Sequence, residues 1–163
     1  GVPLKIAAKV DSVDRVYFET VIKPMMGHPL IEFIGEISDS DKPAFFGGAK
    51  ALLFPIDWPE PFGLVMIEAM SAGTPVIAWN NGSVPEVICP GRSGHIVNSI
   101  AEAVSAVGTI DSIDRRDVRA EFEQRFTVAA MAARYEQAYA SLLHGAVNSD
   151  TEVRDDPASL AVA

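Results

Sequence analysis

Cysteine is almost missing from this chain. Cys89 is the sole example, which excludes an internal disulfide and any metal site built from several thiolates. It also points to a reducing, cytoplasmic setting. Cations are scarce as well: 13 Lys and Arg stand against 22 Asp and Glu, a formal charge of -9. No basic cluster is interleaved with aromatics, so nucleic acid is not expected as a partner. An anionic small molecule remains open, because backbone amides with one or two placed cations suffice to bind it. No apolar run approaches the ~20 residues of a membrane-spanning helix, and no signal peptide opens the chain. No G-x-G-x-x-G follows a strand, which sets aside a dinucleotide-binding oxidoreductase. No His/Cys/carboxylate cluster has metal-ligand spacing, so neither a metal nor another cofactor is expected.

What is present is enough apolar sequence for a core: 48% of 163 residues, a length suited to one domain. Leu4 to Ala8, Leu30 to Ile34, Ala51 to Pro55, Val76 to Trp79 and Gly94 to Val97 read as short buried strands. Helices are expected between them, over Ser12 to Lys23 (capped by Asp11 or Ser12 and ended by Pro24), from Asp39 to about Lys50, and over Phe62 to Ala72. Gly73 and Pro75 stop the last of these. Val84 to Ile88 reads as a helical turn. Further helices are expected near Ser99 to Val107, Asp114 to Gln124 and Thr127 to His144. From Gly145 onward the sequence is small, polar and acidic, and a flexible tail is expected over 145–163. Apolar strands alternating with helices specify a mainly parallel α/β sheet with helices on both faces. Ligands bind such sheets at the carboxyl ends of strands, in the loops that feed helices.

The loop from Ile56 to Gly63 is such a place. Pro61 holds Glu60 extended, with its carboxylate over the strand end. Phe62, Gly63 and Leu64 open a helix whose first amides are unpaired and whose dipole is positive, and Gly63 lets a ligand approach the backbone. These amides suit an oxygen-rich anion. Glu68 follows on the same helix, and a carboxylate accepts the two hydroxyls of a ribose 2′,3′ diol. The bland alternative is two solvated glutamates on a helix and its lead-in.

The surrounding strings favour the functional alternative. EPFGLVMIEAMSAGTPVIA, NNGSVPEVI and GRSGHIV resemble the signature of retaining glycosyltransferases of the two-Rossmann-lobe (GT-B) type, the group 1 or family 4 enzymes. The resemblance covers roughly Leu4 to Leu143 and implies a carboxyl-terminal donor-binding lobe, partial, over residues 1–144. It implies that Glu60 stands beside the donor sugar and its reacting centre, as the catalytic carboxylate. Phe62, Gly63 and Leu64 would then donate to sugar hydroxyls and diphosphate, and Glu68 would hold the ribose. Ile37, after FIGE, would meet the nucleobase through its backbone. The implied partner is a nucleotide diphosphate sugar, used without a metal. A nucleotide-sugar epimerase of the same architecture would need a different carboxylate and histidine set.

The departures matter as much. Family members carry an Arg and a Lys for the diphosphate after the lobe's first strand. Nothing here matches them, since Lys5 and Lys9 fall on or beyond a later strand and Ala8 stands where glycine is common. The expectation is therefore a lobe lacking its first strand-helix unit, its acceptor site and its amino-terminal lobe, and silent by itself. A degenerate, non-catalytic nucleotide-sugar-binding or scaffolding module is the rival reading. Among other residues, His28 reads as a loop residue and His144 as a helix end. His95, Cys89 and the tryptophans Trp58 and Trp79 read as packing, with lining of the sugar pocket as the alternative for Trp58; Arg92 reads as a solvated loop cation, with a phosphate contact as its alternative.

Overall fold

A computed structural model describes residues 1–149, with side chains through Leu143. Residues 150–163 of the expected tail, and the His144 side chain, lie outside the described residues. The chain divides into two compact units, Gly1–Arg119 and Ala120–Ala163.

The first unit is parallel α/β throughout. Its strands are β1 (Leu4–Ala7), β2 (Ile31–Gly35), β3 (Leu52–Phe54), β4 (Val76–Trp79) and β5 (Gly94–Val97). All five sequence-expected strands are present. They are distributed over two sheets, β1-β2 and β3-β4-β5, rather than one, and every pairing is parallel.

The connection from β1 to β2 corrects two expectations. Helix α1 (Arg15–Tyr17) begins after Asp14, which makes no side-chain cap, while Asp11 instead pairs with Lys9 at 2.8 Å. Pro24 does not end the helical stretch. A π-helical turn over Phe18–Ile22 intervenes, and Pro24 lies in the first turn of α2 (Lys23–Met25). The widened turn, with the Lys23 N–H reaching the Phe18 carbonyl, shifts the bonding register just ahead of a residue with no N–H to give.

The remaining helices are α3 (Lys42–Gly47), α4 (Leu64–Ser71), α5 (Val84–Val87), α6 (Ile100–Thr109), α7 (Arg115–Arg125) and α8 (Val128–Ser149). The core gathers around β4, whose Val76, Ile77 and Ala78 are fully buried together with Met66, Ala69 and Met70 of α4. A strand apolar on both faces is what a covered parallel sheet requires. Gly73 ends α4 at φ 70°, donating to the Met70 carbonyl at 2.9 Å while Thr74 N–H reaches Ala69 at 2.9 Å. This double closure needs a left-handed residue, which is why glycine follows the helix. Helix α6 opens on a reciprocal cap. Ser99 Oγ accepts the Glu102 N–H at 3.2 Å, and Glu102 Oε2 accepts the Asn98 N–H at 2.8 Å.

Arg115 ties the start of α7 to the end of α3 and to the turn before β4. Its guanidinium donates to the carbonyls of Ala49 (2.7 Å) and Gly47 (2.9 Å) and to Thr74 Oγ1 (2.8 Å); that hydroxyl in turn donates to the Phe46 carbonyl at 2.6 Å. Arg115→Ala should lower the unfolding free energy by about 2–3 kcal/mol, because partly buried acceptors lose charge-assisted partners. Urea denaturation checks this; an unchanged midpoint contradicts it.

In the second unit, Arg125 pairs with Glu121 at 2.9 Å and its guanidinium stacks 4.7 Å from the Phe126 ring. Thr127 Oγ1 accepts the Ala130 N–H at 3.2 Å at the start of α8. That helix runs to Ser149, beyond the expected end at His144. Among the described residues no helix is long and apolar enough to cross a membrane.

Candidate functional site

Strand β3 ends at Phe54, and a loop punctuated by Pro55, Pro59 and Pro61 carries the chain to α4. Glu60 lies in that loop, half-buried, and both its carboxylate oxygens are engaged. Oε1 accepts the Gly63 N–H at 3.1 Å, and Oε2 accepts the Trp58 indole N–H at 3.0 Å. A carboxylate can accept about four hydrogen bonds, so each oxygen retains capacity for a ligand. The Gly63 N–H, expected to be open, is already committed to Glu60. Trp58 is no packing residue either: it is 57% exposed, and its indole N–H fixes the orientation of the glutamate.

Gly63 takes φ 73°, immediately before α4. An added Cβ would stand 2.7 Å from Met66 Cε and 3.4 Å from the Phe54 ring. Glycine is therefore required on two counts, backbone conformation and space. Leu64 follows as the first helical residue, exposed, at the positive end of the helix dipole. Phe62, one residue before Gly63, is also solvent-exposed.

The backbone of Glu60 is held from behind by the turn after β4. Ser83 N–H donates to the Glu60 carbonyl at 2.9 Å. Gly82, at φ 53°, packs so closely that a Cβ would lie 2.4 Å from both the nitrogen and the carbonyl oxygen of Glu60. Asn80-Asn81-Gly82 forms the turn that clamps the glutamate. The N-G pair signals positive φ; nothing local signals what the turn presses against.

Glu68 lies one turn beyond Leu64, half-buried on α4. Its Oε1 is 2.9 Å from Lys42 Nζ, and the same ammonium is 2.9 Å from Asp39 Oδ1. Lys42 opens α3, directly after the segment that carries Ile37 past the end of β2. Hydrogen bonds to Asp39 first and Glu68 second push the Lys42 ammonium above the usual value of 10.5, against a smaller opposing effect of burial. It therefore stays charged throughout the neutral range. Lys42 is the second site residue that sequence reasoning missed, since its contact spans 26 positions.

Glu60, Gly63, Leu64 and Glu68 thus share one loop and the start of one helix, while Ile37 joins them only through the segment leading to Lys42. Lys5 and Lys9 are engaged elsewhere, with Glu32 at 3.2 Å and Asp11 at 2.8 Å. His28 is a loop residue whose Nδ1 accepts the Leu30 N–H at 3.1 Å. His95 stands half-buried in β5, with Nε2 lacking a partner. Among the described residues no three His, Cys, Asp or Glu side chains are arranged to hold a metal ion.

Comparisons with known proteins identify the family. The family "Glycosyl transferases group 1" matches residues 17–130. A phosphatidyl-myo-inositol mannosyltransferase of Mycobacterium leprae is 32% identical over 116 residues, 67% of this chain and 31% of the relative. An uncharacterized 41.2 kDa protein in the cps region of Klebsiella pneumoniae is 36% identical over 118 residues, 68% of this chain and 32% of the relative. The crystal structure of Anabaena HepE in complex with UDP superimposes with a TM-score of 0.73 at 21% identity, covering 86% of this chain and 41% of that one. The chain thus spans about a third of the length of the curated relatives it matches. With the family match extending over β2 to β5 and the Glu60–Glu68 stretch, the chain belongs to the group 1 glycosyl transferases.

Proposed function

We propose that this chain is the donor-binding lobe of a retaining glycosyltransferase that moves a sugar from a nucleotide diphosphate to an acceptor hydroxyl. The observation that carries the reading is the shared framework of Glu60 and Glu68, one carboxylate fixed in the loop and one on the first turns of the helix it feeds. Between them stands the positive end of α4, suited to the donor's charged oxygens. Glu68 takes the ribose diol, Phe62 and Leu64 approach the sugar and diphosphate, and Ile37 meets the base. The relative HepE binds UDP, which supports a nucleoside diphosphate as the ligand.

Glu60 acts by position and charge. Held by Trp58 and Gly63, it stabilises positive charge developing at the sugar's anomeric centre as the bond to the diphosphate breaks. It is oriented by two donors, an arrangement suited to electrostatic stabilisation rather than covalent attack. The positive end of the α4 dipole takes part of the role that a metal plays elsewhere. A degenerate binding module would have no need for a clamped, doubly oriented Glu60, which favours the enzyme.

The isolated chain should show no turnover, because the Arg and Lys that serve the diphosphate in the family it resembles have no match in it, and each missing charge-assisted bond costs ~1.5–3 kcal/mol. Calorimetric titration of the full-length protein with UDP-, GDP- and ADP-sugars tests the reading. Binding of one series, abolished by Glu68→Ala, is expected; binding of none would overturn it. Gly82→Ala should lower kcat by about 10- to 100-fold, since displacing reacting geometry by roughly 1 Å costs that much. Steady-state kinetics alongside circular dichroism separates this from unfolding; wild-type kcat would contradict the clamp.

A further inference from the structure

We propose that Lys42 is a positioning residue for ribose recognition, holding Glu68 in the orientation that meets the diol. This inference rests on the ribose role proposed above for Glu68. A glutamate on a partly exposed helix face has three rotatable side-chain bonds to immobilise before it can take two hydroxyls at once. The contact at 2.9 Å between Lys42 Nζ and Glu68 Oε1 restricts those bonds before any ligand arrives. The carboxylate's other oxygen and the remaining lone pair of Oε1 stay available to accept from the diol.

The geometry separates this pair from an ordinary surface bridge. Lys42 and Glu68 belong to different helices, α3 and α4, and retain 31% and 37% side-chain exposure. Asp39, the second carboxylate at the ammonium, is 95% exposed, where an ion pair contributes little to stability. The lysine thus bridges from the start of α3 to Glu68 on α4. Lys42 also follows closely on Ile37, so one short segment would reach the base and align the carboxylate for the ribose. Arginine could keep the charge, but its planar fork would approach Glu68 differently.

The test compares UDP and GDP with their 2′-deoxy counterparts, by calorimetry, on the full-length protein. Lys42→Met should weaken whichever ribonucleotide binds by about tenfold and leave its 2′-deoxy form nearly unchanged, so that ribose discrimination collapses. Lys42→Arg should recover part of that discrimination. In a Glu68→Ala background the Lys42 substitution should have no further effect. Equal losses for ribo and deoxy forms, or wild-type binding by Lys42→Met while Glu68→Ala binds poorly, would overturn the inference alone. Wild-type ribonucleotide binding by Glu68→Ala would overturn the ribose role of Glu68 and this inference with it.

Discussion

Gly94→Ala should yield little or no folded protein. Gly94 opens β5 opposite Val76, and a Cβ at that position would stand 1.9 Å from the Val76 carbonyl oxygen, 2.9 Å from its carbon and 3.0 Å from its nitrogen. All three are backbone atoms of the fully buried strand β4, so no side-chain rotation relieves the overlap. Either β5 moves away, breaking the register from Val76↔Gly94 to Trp79↔Val97, or β4 moves into a packed core. Both routes should cost more than about 4 kcal/mol, at the severe end for a single substitution and a large part of the ~5–15 kcal/mol that holds a domain together. Gly91 is the internal control. Its φ is positive, 77°, but an added Cβ there would meet nothing within 4 Å. Gly91→Ala should therefore cost only the left-handed backbone strain, about 1–2 kcal/mol. Soluble yield and urea denaturation of the two variants check this; equal stability of Gly94→Ala and the wild type would contradict it.

Glu60→Ala should lower kcat by roughly 100- to 1000-fold, the loss typical of removing one preorganised electrostatic contact at a reacting centre. Because Glu60 is assigned to the sugar, the Kd of the free nucleotide diphosphate should change by less than about threefold, a difference below ~0.7 kcal/mol. Glutamine is a poor control. Its amide nitrogen would have to face either the Trp58 indole N–H or the Gly63 N–H, donor against donor. Trp58→Phe is the more informative companion, since it keeps a ring and deletes the hydrogen bond to Oε2. A smaller fall in kcat, about tenfold or less, is expected there from loosened positioning. Single-turnover kinetics with the intact enzyme measures both; kcat within twofold of wild type for Glu60→Ala would remove Glu60 from the catalytic step.

Much of this was legible because it is written in neighbours. Each strand is a short apolar run ended by a turn, and the stop of α4 is spelled out by Gly73, Thr74 and Pro75. The start of α6 is marked by Ser99 with Glu102 three positions on. Glu60, Gly63 and Glu68 were visible because one loop and one helix carry them. The π-turn over Phe18–Ile22 was not, since proline normally marks a helix end and the widened turn that accommodates it has no sequence signature. The division into two sheets depends on which strands share hydrogen bonds, a property of partners distant in sequence. The same distance hid the residues that hold the site. Gly82 reaches Glu60 from a turn beyond the next strand, and Lys42 reaches Glu68 from the preceding helix. Packing is the default for an aromatic residue, and only the structure shows that the Trp58 ring is exposed and that its polar edge holds Glu60.

The division of labour between the two glutamates is tested most directly by nucleotide diphosphate binding to Glu60→Ala and Glu68→Ala forms of the full-length enzyme, titrated calorimetrically side by side. Glu68→Ala should bind at least about tenfold more weakly than wild type, as expected for a carboxylate that loses hydrogen bonds to a ligand diol, while Glu60→Ala binds like wild type and fails in turnover. Equal nucleotide affinity in all three proteins would contradict the assignment of Glu68 to the donor and, with it, the reading of this chain as the donor-binding lobe.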